Sequence, residues 1–186
     1  DVVAGLAVVK DEELGKQLYK LQNAFGAVLG VQDAWLVLRG VKTLHVRLKQ
    51  SSESAAAIAA YLTSHPKVEE VYYPGLAHHP GHSVQRSQSA GFGAVLSFRL
   101  ADEEAARAFV RNVRLPVFAV SLGAVESILS YPAKMSHAAM PKDERLRRGI
   151  TDGLLRLSVG LEDVNDLIAD VEQALSLVNE RPSIRA

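Results

Sequence analysis

Gly153-Leu154-Leu155-Arg156-Leu157-Ser158-Val159-Gly160 is the stretch on which the reading of the fold turns. Successive side chains of a strand point to opposite faces, so Leu155, Leu157 and Val159 share one face and Arg156 and Ser158 share the other. One face belongs to an apolar core. The second face carries a guanidinium in the middle of an apolar strand, and burying that charge without a partner is expensive. Its planar fork of donors matches a carboxylate or a phosphate. Spacing alone favours a protein carboxylate such as Glu126 as that partner, with a bound ligand as the alternative.

The same period recurs upstream. Val68 to Tyr73, Ala94 to Leu100 and Pro116 to Val120 read as three more strands. Between and after them, Glu103 to Val113 carries Ala106, Phe109, Val110 and Val113 at helical spacing. Asp163 to Val178 carries Val164, Leu167, Ile168, Val171, Leu175 and Val178 behind an Asp163-x-x-Asp166 start. Elements in this order predict an α/β sandwich, with helices on one face of a mostly antiparallel sheet. Nearer the start, Asp11-Glu12-Glu13 opens a helix bearing Leu14, Leu18 and Leu21, which Gly26 and Gly30 interrupt. Asp33 is then the expected N-cap of a long helix through Leu36, Gly40, Val41, Leu44 and Leu48, continuing past Ile58 and Leu62 to His65-Pro66. It would be a spine between two structural units. Asp1 to Val9, small and β-branched, reads as a fully buried strand and as the continuation of something longer.

Composition removes several classes of function. The 186 residues balance 21 Lys and Arg against 21 Asp and Glu and include no cysteine. Zero net charge gives no general field for a nucleic-acid backbone, and a chain without cysteine has neither disulfides nor a thiolate nucleophile. At 48% apolar residues the chain can build a core, yet no apolar run approaches the roughly 18 residues of a membrane span. Neither a nucleic acid nor a membrane is the expected partner.

Other signals are weaker. His78, His79 and His82 flank Pro80-Gly81, which breaks any helix that would align them, so a surface turn is expected and no metal site. Gly91-Phe92-Gly93 has Leu96 where the third glycine of a dinucleotide fingerprint would stand. Arg145-Leu146-Arg147-Arg148, beside Asp143 and Glu144, reads as a solvated helix face. Ser121-Leu122-Gly123-Ala124-Val125-Glu126-Ser127 and the Pro132, Met135, Ser136, His137 segment are irregular but apolar, and make either a ligand wall or a packed connection.

Taken together, Asp33-x-Trp35-Leu36-x-Leu38-Arg39-Gly40-x-Lys42-Thr43-Leu44-x-x-Arg47, Tyr73-Pro74-Gly75-Leu76-x-x-His79-Pro80, Gly91-Phe92-Gly93, Ser121-Leu122-Gly123-x-x-Glu126-Ser127, Pro132-x-x-Met135-Ser136-His137 and Gly153 to Glu162 resemble the Cys/Met-metabolism family of pyridoxal-phosphate enzymes, of fold type I. The resemblance runs in order along essentially the whole chain. It implies the C-terminal part of such an enzyme: residues 1–50 as the end of the large cofactor domain and the start of the linking helix, and residues 51–186 as the small domain that closes over substrate. Asp1-Val2-Val3-Ala4-Gly5 would then follow directly on the segment bearing the cofactor lysine, so that no catalytic and no cofactor-binding residue is expected in this chain, which would be inactive alone.

The resemblance further implies that Arg156 and Ser121 bind the substrate α-carboxylate and that Val120 sits where subfamilies differ in specificity. Valine there argues modestly against a γ-synthase. The implied activity is carbon–sulfur cleavage, β-elimination of L-cystathionine to homocysteine, pyruvate and ammonia, with pyridoxal 5′-phosphate as cofactor. Cystathionine γ-synthase or methionine γ-lyase chemistry is the alternative within the family, and a non-catalytic carboxylate-binding module the alternative outside it. Implied partners are an amino-acid substrate, the remainder of the protein and further copies in a homo-oligomer, in the cytoplasm.

Overall fold

A computed structural model describes residues 2–178. Contacts divide the chain into two compact units, Asp1–Val46 and Arg47–Ala186.

In the first unit, α1 (Glu12–Phe25) starts where the Asp11 carboxylate accepts a hydrogen bond from the Leu14 amide at 2.7 Å, with Glu12 and Glu13 beside the positive helix end. It stops at Gly26, whose φ of 66° is left-handed and free of a Cβ clash. α2 (Val31–Val41) follows Gly30, which holds the cap position; Asp33 lies inside the first turn and is not the cap. The expected single helix from Asp33 is also two helices. The ladder breaks at Lys42 and Thr43, and α3 (Leu44–Ser64) then runs for 21 residues into the second unit. Lys42 keeps right-handed helical angles, φ −60° and ψ −28°, so the apolar spacing passes through the break without registering it. Residues 2–9 form no strand, and residues 3–9 are exposed, Val3 at 95% and Leu6 at 91%. A β-branched run becomes a strand only where a neighbouring strand offers its ladder, and the described part of this unit contains only helices. Asp1, the first residue of that expected strand, lies outside the described residues.

The second unit is built on a five-stranded sheet in the order β1-β2-β5-β4-β3: β1 (Glu70–Tyr72), β2 (Val95–Arg99), β3 (Val117–Phe118), β4 (Ile128–Ser130) and β5 (Leu154–Ser158). β1/β2, β2/β5 and β4/β5 pair antiparallel, and β3/β4 parallel. The quoted stretch is the central strand. Leu155, Leu157 and Val159 join Val71, Leu96, Phe98 and Leu129 in one buried cluster with Ile58 and Leu62 of α3, Phe109 of α5 (Glu103–Asn112) and Leu167, Val171 and Leu175 of α7 (Val164–Ser176). Phe98 and Phe109 meet edge to face at 5.4 Å. The expected sandwich is therefore present, with the alternate residues of β5 supplying its floor.

The helix ends follow local chemistry. Asp102 caps α5 through the Ala105 amide at 2.9 Å, and Asp163 caps α7 through the Asn165 amide at 2.8 Å. At the other end of α7, Lys67 Nζ donates to the carbonyls of Leu175, Ser176 and Val178 at 3.0, 3.1 and 2.7 Å, placing a cation at the negative helix end. Gly153 and Gly160 bracket β5 because backbone passes there: a Cβ would stand 2.1 Å from the Leu100 carbonyl oxygen and 2.3 Å from that of Val125.

Several elements escaped the periodicity. β4 lies in the segment expected to be irregular; all three of its residues are buried, so no alternation marks it. α4 (His82–Gln88) and α6 (Lys142–Arg147) are too short to show a stripe. Within α6, Arg145 is not solvated. It is buried, donating to Asp152 at 2.5 Å and to the Ile150 carbonyl at 2.6 Å, a tertiary partnership that a basic run in sequence does not disclose.

Lys142 and Arg145 beside Asp152 hold its carboxyl below the usual carboxylate range. Its stabilising share is complete above an ordinary carboxylate pKa of about 4 and is lost as pH falls through the depressed value. Asp152→Asn should cost about 2 kcal/mol at pH 7, since it leaves the buried Arg145 guanidinium short of its countercharge. Urea titrations of both proteins at pH 7 and pH 3 check this, the gap between them narrowing at the lower pH.

Candidate functional site

On the face of the sheet turned away from the core, the register aligns Tyr72, Ser97, Arg156 and Ser130 across β1, β2, β5 and β4. Arg156 thus sits mid-sheet between two serines. Its Nη2 donates to the Ser121 carbonyl at 2.7 Å. Glu126 is not its partner, and Arg156 has no ion pair among the described residues. The reason is geometric: the chain leaving β3 crosses over β5 so that a backbone carbonyl reaches the guanidinium first.

That crossing segment is fastened at several points. Ser158, two residues on from Arg156 and on the same face, accepts the Gly123 amide at 2.9 Å. The Leu161 amide donates to the Val125 carbonyl at 2.8 Å. Glu162 accepts the Ser127 amide and hydroxyl at 2.7 and 2.8 Å, Ser127 Oγ accepts the Gly160 amide at 2.9 Å, and Ser51 donates to the Gly160 carbonyl at 2.9 Å. Ser127 is consequently a buried hub of a packed connection. Ser121 adopts φ 96°, a left-handed backbone that a side chain disfavours, while Gly123 beside it takes φ 80° freely. The strain lies at the residue whose carbonyl meets Arg156. Val120 is 59% exposed, so core packing does not account for it.

Ser97, Ser130 and the tethering role of Ser158 were not found in the sequence, because each depends on which strand lies alongside which. Two atoms of this face are left without a hydrogen-bond partner although buried: Arg156 Nε and Ser130 Oγ. A half-committed guanidinium flanked by hydroxyls can receive a carboxylate or another planar oxyanion on its Nη1 side.

His79 Nδ1 accepts the Gly81 amide at 3.0 Å, and His82 contacts the Pro74 carbonyl at 2.8 Å and stacks on Phe92 with ring centroids 5.1 Å apart. No group of three or more His, Asp or Glu suited to a metal occurs among the described residues. None of the described helices is long and apolar enough to cross a membrane. Ser136 Oγ and His137 Nδ1 lie 2.9 Å apart on the exposed segment after the 3-10 turn Pro132–Lys134.

If the strain at Ser121 is as the backbone indicates, Ser121→Gly should raise folding stability by about 0.5–1 kcal/mol, and Ser121→Val should lower it by about 1–2 kcal/mol. Thermal unfolding of the two variants checks both signs.

The chain is 71% identical over 175 residues to the cystathionine beta-lyase MetC of Bacillus subtilis (strain 168), an alignment covering 94% of this chain and 45% of that protein. It is 46% identical to the L-methionine gamma-lyase of Fusobacterium nucleatum subsp. polymorphum, over 96% of this chain and 46% of that one. The cystathionine gamma synthase of Xanthomonas oryzae pv. oryzae, solved in complex with cystathionine, superposes with a TM-score of 0.87 at 48% identity, covering 92% of this chain and 44% of that one. The chain therefore spans less than half the length of these relatives. The family description "Cys/Met metabolism PLP-dependent enzyme" matches residues 1–176. By that match, and with the sheet and the Arg156 strand in the places the sequence led us to expect, the chain belongs to the pyridoxal-phosphate-dependent Cys/Met metabolism family.

Proposed function

We propose that this chain forms the carboxylate-binding side of a carbon–sulfur lyase that converts L-cystathionine and water to homocysteine, pyruvate and ammonia. The observation that carries the reading is Arg156: a guanidinium in the central strand, fixed by the Ser121 carbonyl, with no countercharge among the described residues and its Nη1 side uncommitted. A charge so placed is matched by a ligand carboxylate better than by anything the protein supplies. The names of the relatives support lyase chemistry on sulfur amino acids.

Pyridoxal phosphate calls for an amine at its aldehyde carbon, and Ser97, Ser121, Ser130 and Ser158 with one guanidinium supply none, whereas they suit an amino-acid carboxylate. We therefore assign no residue of this chain to the cofactor, and assign the amine to the part of the enzyme that the relatives possess outside the aligned half. Bound there, the cofactor supplies the sink for the electrons released at Cα. Arg156 and Ser121 contribute orientation: a two-point grip on the carboxylate fixes rotation about the bond to Cα and holds its hydrogen in the direction of transfer.

On this reading residues 1–50 end the cofactor domain and start the linking helix, residues 51–186 close over substrate, and the assembly is a cytoplasmic homo-oligomer. Exposed Val3, Leu6, Val8 and Phe25 in the first unit support a partner surface there. Val120, beside Ser121 and open to solvent, is assigned to substrate selection. Placing a carboxylate there, Val120→Glu, should raise kcat/KM for cystathionine relative to methionine by roughly threefold, the size of a partly solvated ion pair with the distal ammonium.

The decisive variants are at Arg156. In the pyridoxal-phosphate-loaded enzyme carrying this chain, Arg156→Ala should cost about 3 kcal/mol in kcat/KM, more than a hundredfold, with cofactor content unchanged. Arg156→Lys should recover little, since an ammonium lacks the fork. A folded Arg156→Ala enzyme with near-normal turnover would defeat the assignment.

A further inference from the structure

Of all the polar groups in the second unit, Arg156 Nε and Ser130 Oγ stand out together. Both are buried, neither has a hydrogen-bond partner, and their residues are register partners on adjacent antiparallel strands. Register partners direct their side chains to the same face with Cβ atoms about 5 Å apart. Ser130 is 3% exposed, so its hydroxyl has no bulk water to turn to. Arg156 Nε is a donor only, whereas a serine hydroxyl both donates and accepts. On the opposite side of Arg156, Ser97 is only half-buried and its hydroxyl is not stranded.

We propose that Ser130 is a positioning residue for Arg156, its hydroxyl accepting the Nε–H once a carboxylate occupies the outer edge of the guanidinium. Without that contact the side chain is fixed at Nη2 alone, by the Ser121 carbonyl, and a planar group held at one corner can still swing about it. Holding Nε as well sets the plane of the fork, which is the quantity a two-point carboxylate contact requires. A ligand arriving at Nη1 removes the remaining water from the guanidinium, and a stranded Nε–H then becomes more costly than before. A rotation about the Ser130 Cα–Cβ bond, between staggered wells, is the movement needed. The inference rests on the carboxylate-binding assignment of Arg156 and adds to it a residue that touches neither substrate nor cofactor.

The test is a double-mutant cycle on the cofactor-loaded enzyme carrying this chain, with cystathionine as substrate and thermal melts alongside. Ser130→Ala should raise KM about fivefold or more while kcat stays within about twofold, because the loss falls on the positioning of the carboxylate grip. In an Arg156→Lys background, which has no Nε–H, Ser130→Ala should change KM no further. An unchanged KM in Ser130→Ala, a lowered melting temperature as its only effect, or equal KM penalties in both backgrounds would overturn the proposal while leaving Arg156 in its assigned role. A wild-type KM in Arg156→Lys alone would remove the assignment of Arg156 and this inference with it.

Discussion

An arginine in the middle of a sheet's central strand needs polar partners on the face it is turned to, and the second unit is arranged around that requirement. β5 cannot move Arg156 to an edge, because Leu155, Leu157 and Val159 on its other face hold the core of the unit. A one-residue slip would drive the guanidinium into that core and the leucines out of it. The burial that stabilises the sandwich therefore also fixes where the charge stands. What surrounds Arg156 is then determined by which strands flank β5: serine on β2, serine on β4, and the segment from β3 passing over them.

The segment over β5 is tied to the same strand from both ends. Ser158 takes the Gly123 amide, while Gly160, through Ser127, and Glu162 secure the stretch running into β4. Arg156 and Ser158 lie two residues apart, so the alternation that aims the guanidinium also aims the hydroxyl that tethers the loop to it. Strain at Ser121 is consistent with this: a carbonyl made to point at a cation by neighbours that do not yield is displaced from the backbone angles its own side chain would choose.

How much of this could be read in the sequence depends on how far each feature reaches along the chain. β5, α5 and α7 announce themselves because apolar residues recur along one face of each, which leaves a period in the residues. β4 leaves none, being buried throughout, and it is the strand that brings Ser130 to Arg156. The break between α2 and α3 is invisible because a near-helical turn keeps the spacing of apolar residues, and the run from Val2 to Val9 misleads because strand-like composition does not supply a neighbouring strand. Two partners of arginines were misjudged for a common reason. Glu126 makes no ion pair with Arg156, whose partner is the Ser121 carbonyl, and the basic run around Arg145 reads as solvated although its acceptors at Ile150 and Asp152 stand a few residues beyond the helix.

Arg145, buried, and Arg156, half-buried, show why charge alone does not reveal function. Arg145 has a carboxylate and a carbonyl from its own chain, its donors are committed, and nothing remains for a ligand. Arg156 has only a carbonyl, a partial negative charge against a full positive one. The difference between them is a missing countercharge, which at half-buried Arg156 leaves the open edge of the guanidinium to water or to an arriving anion. A chain that matches amino-acid-processing enzymes along 176 residues and leaves uncompensated one mid-sheet guanidinium, edged by hydroxyls and roofed by a tethered loop, has its electrostatic deficit at the point where an α-carboxylate would make it good.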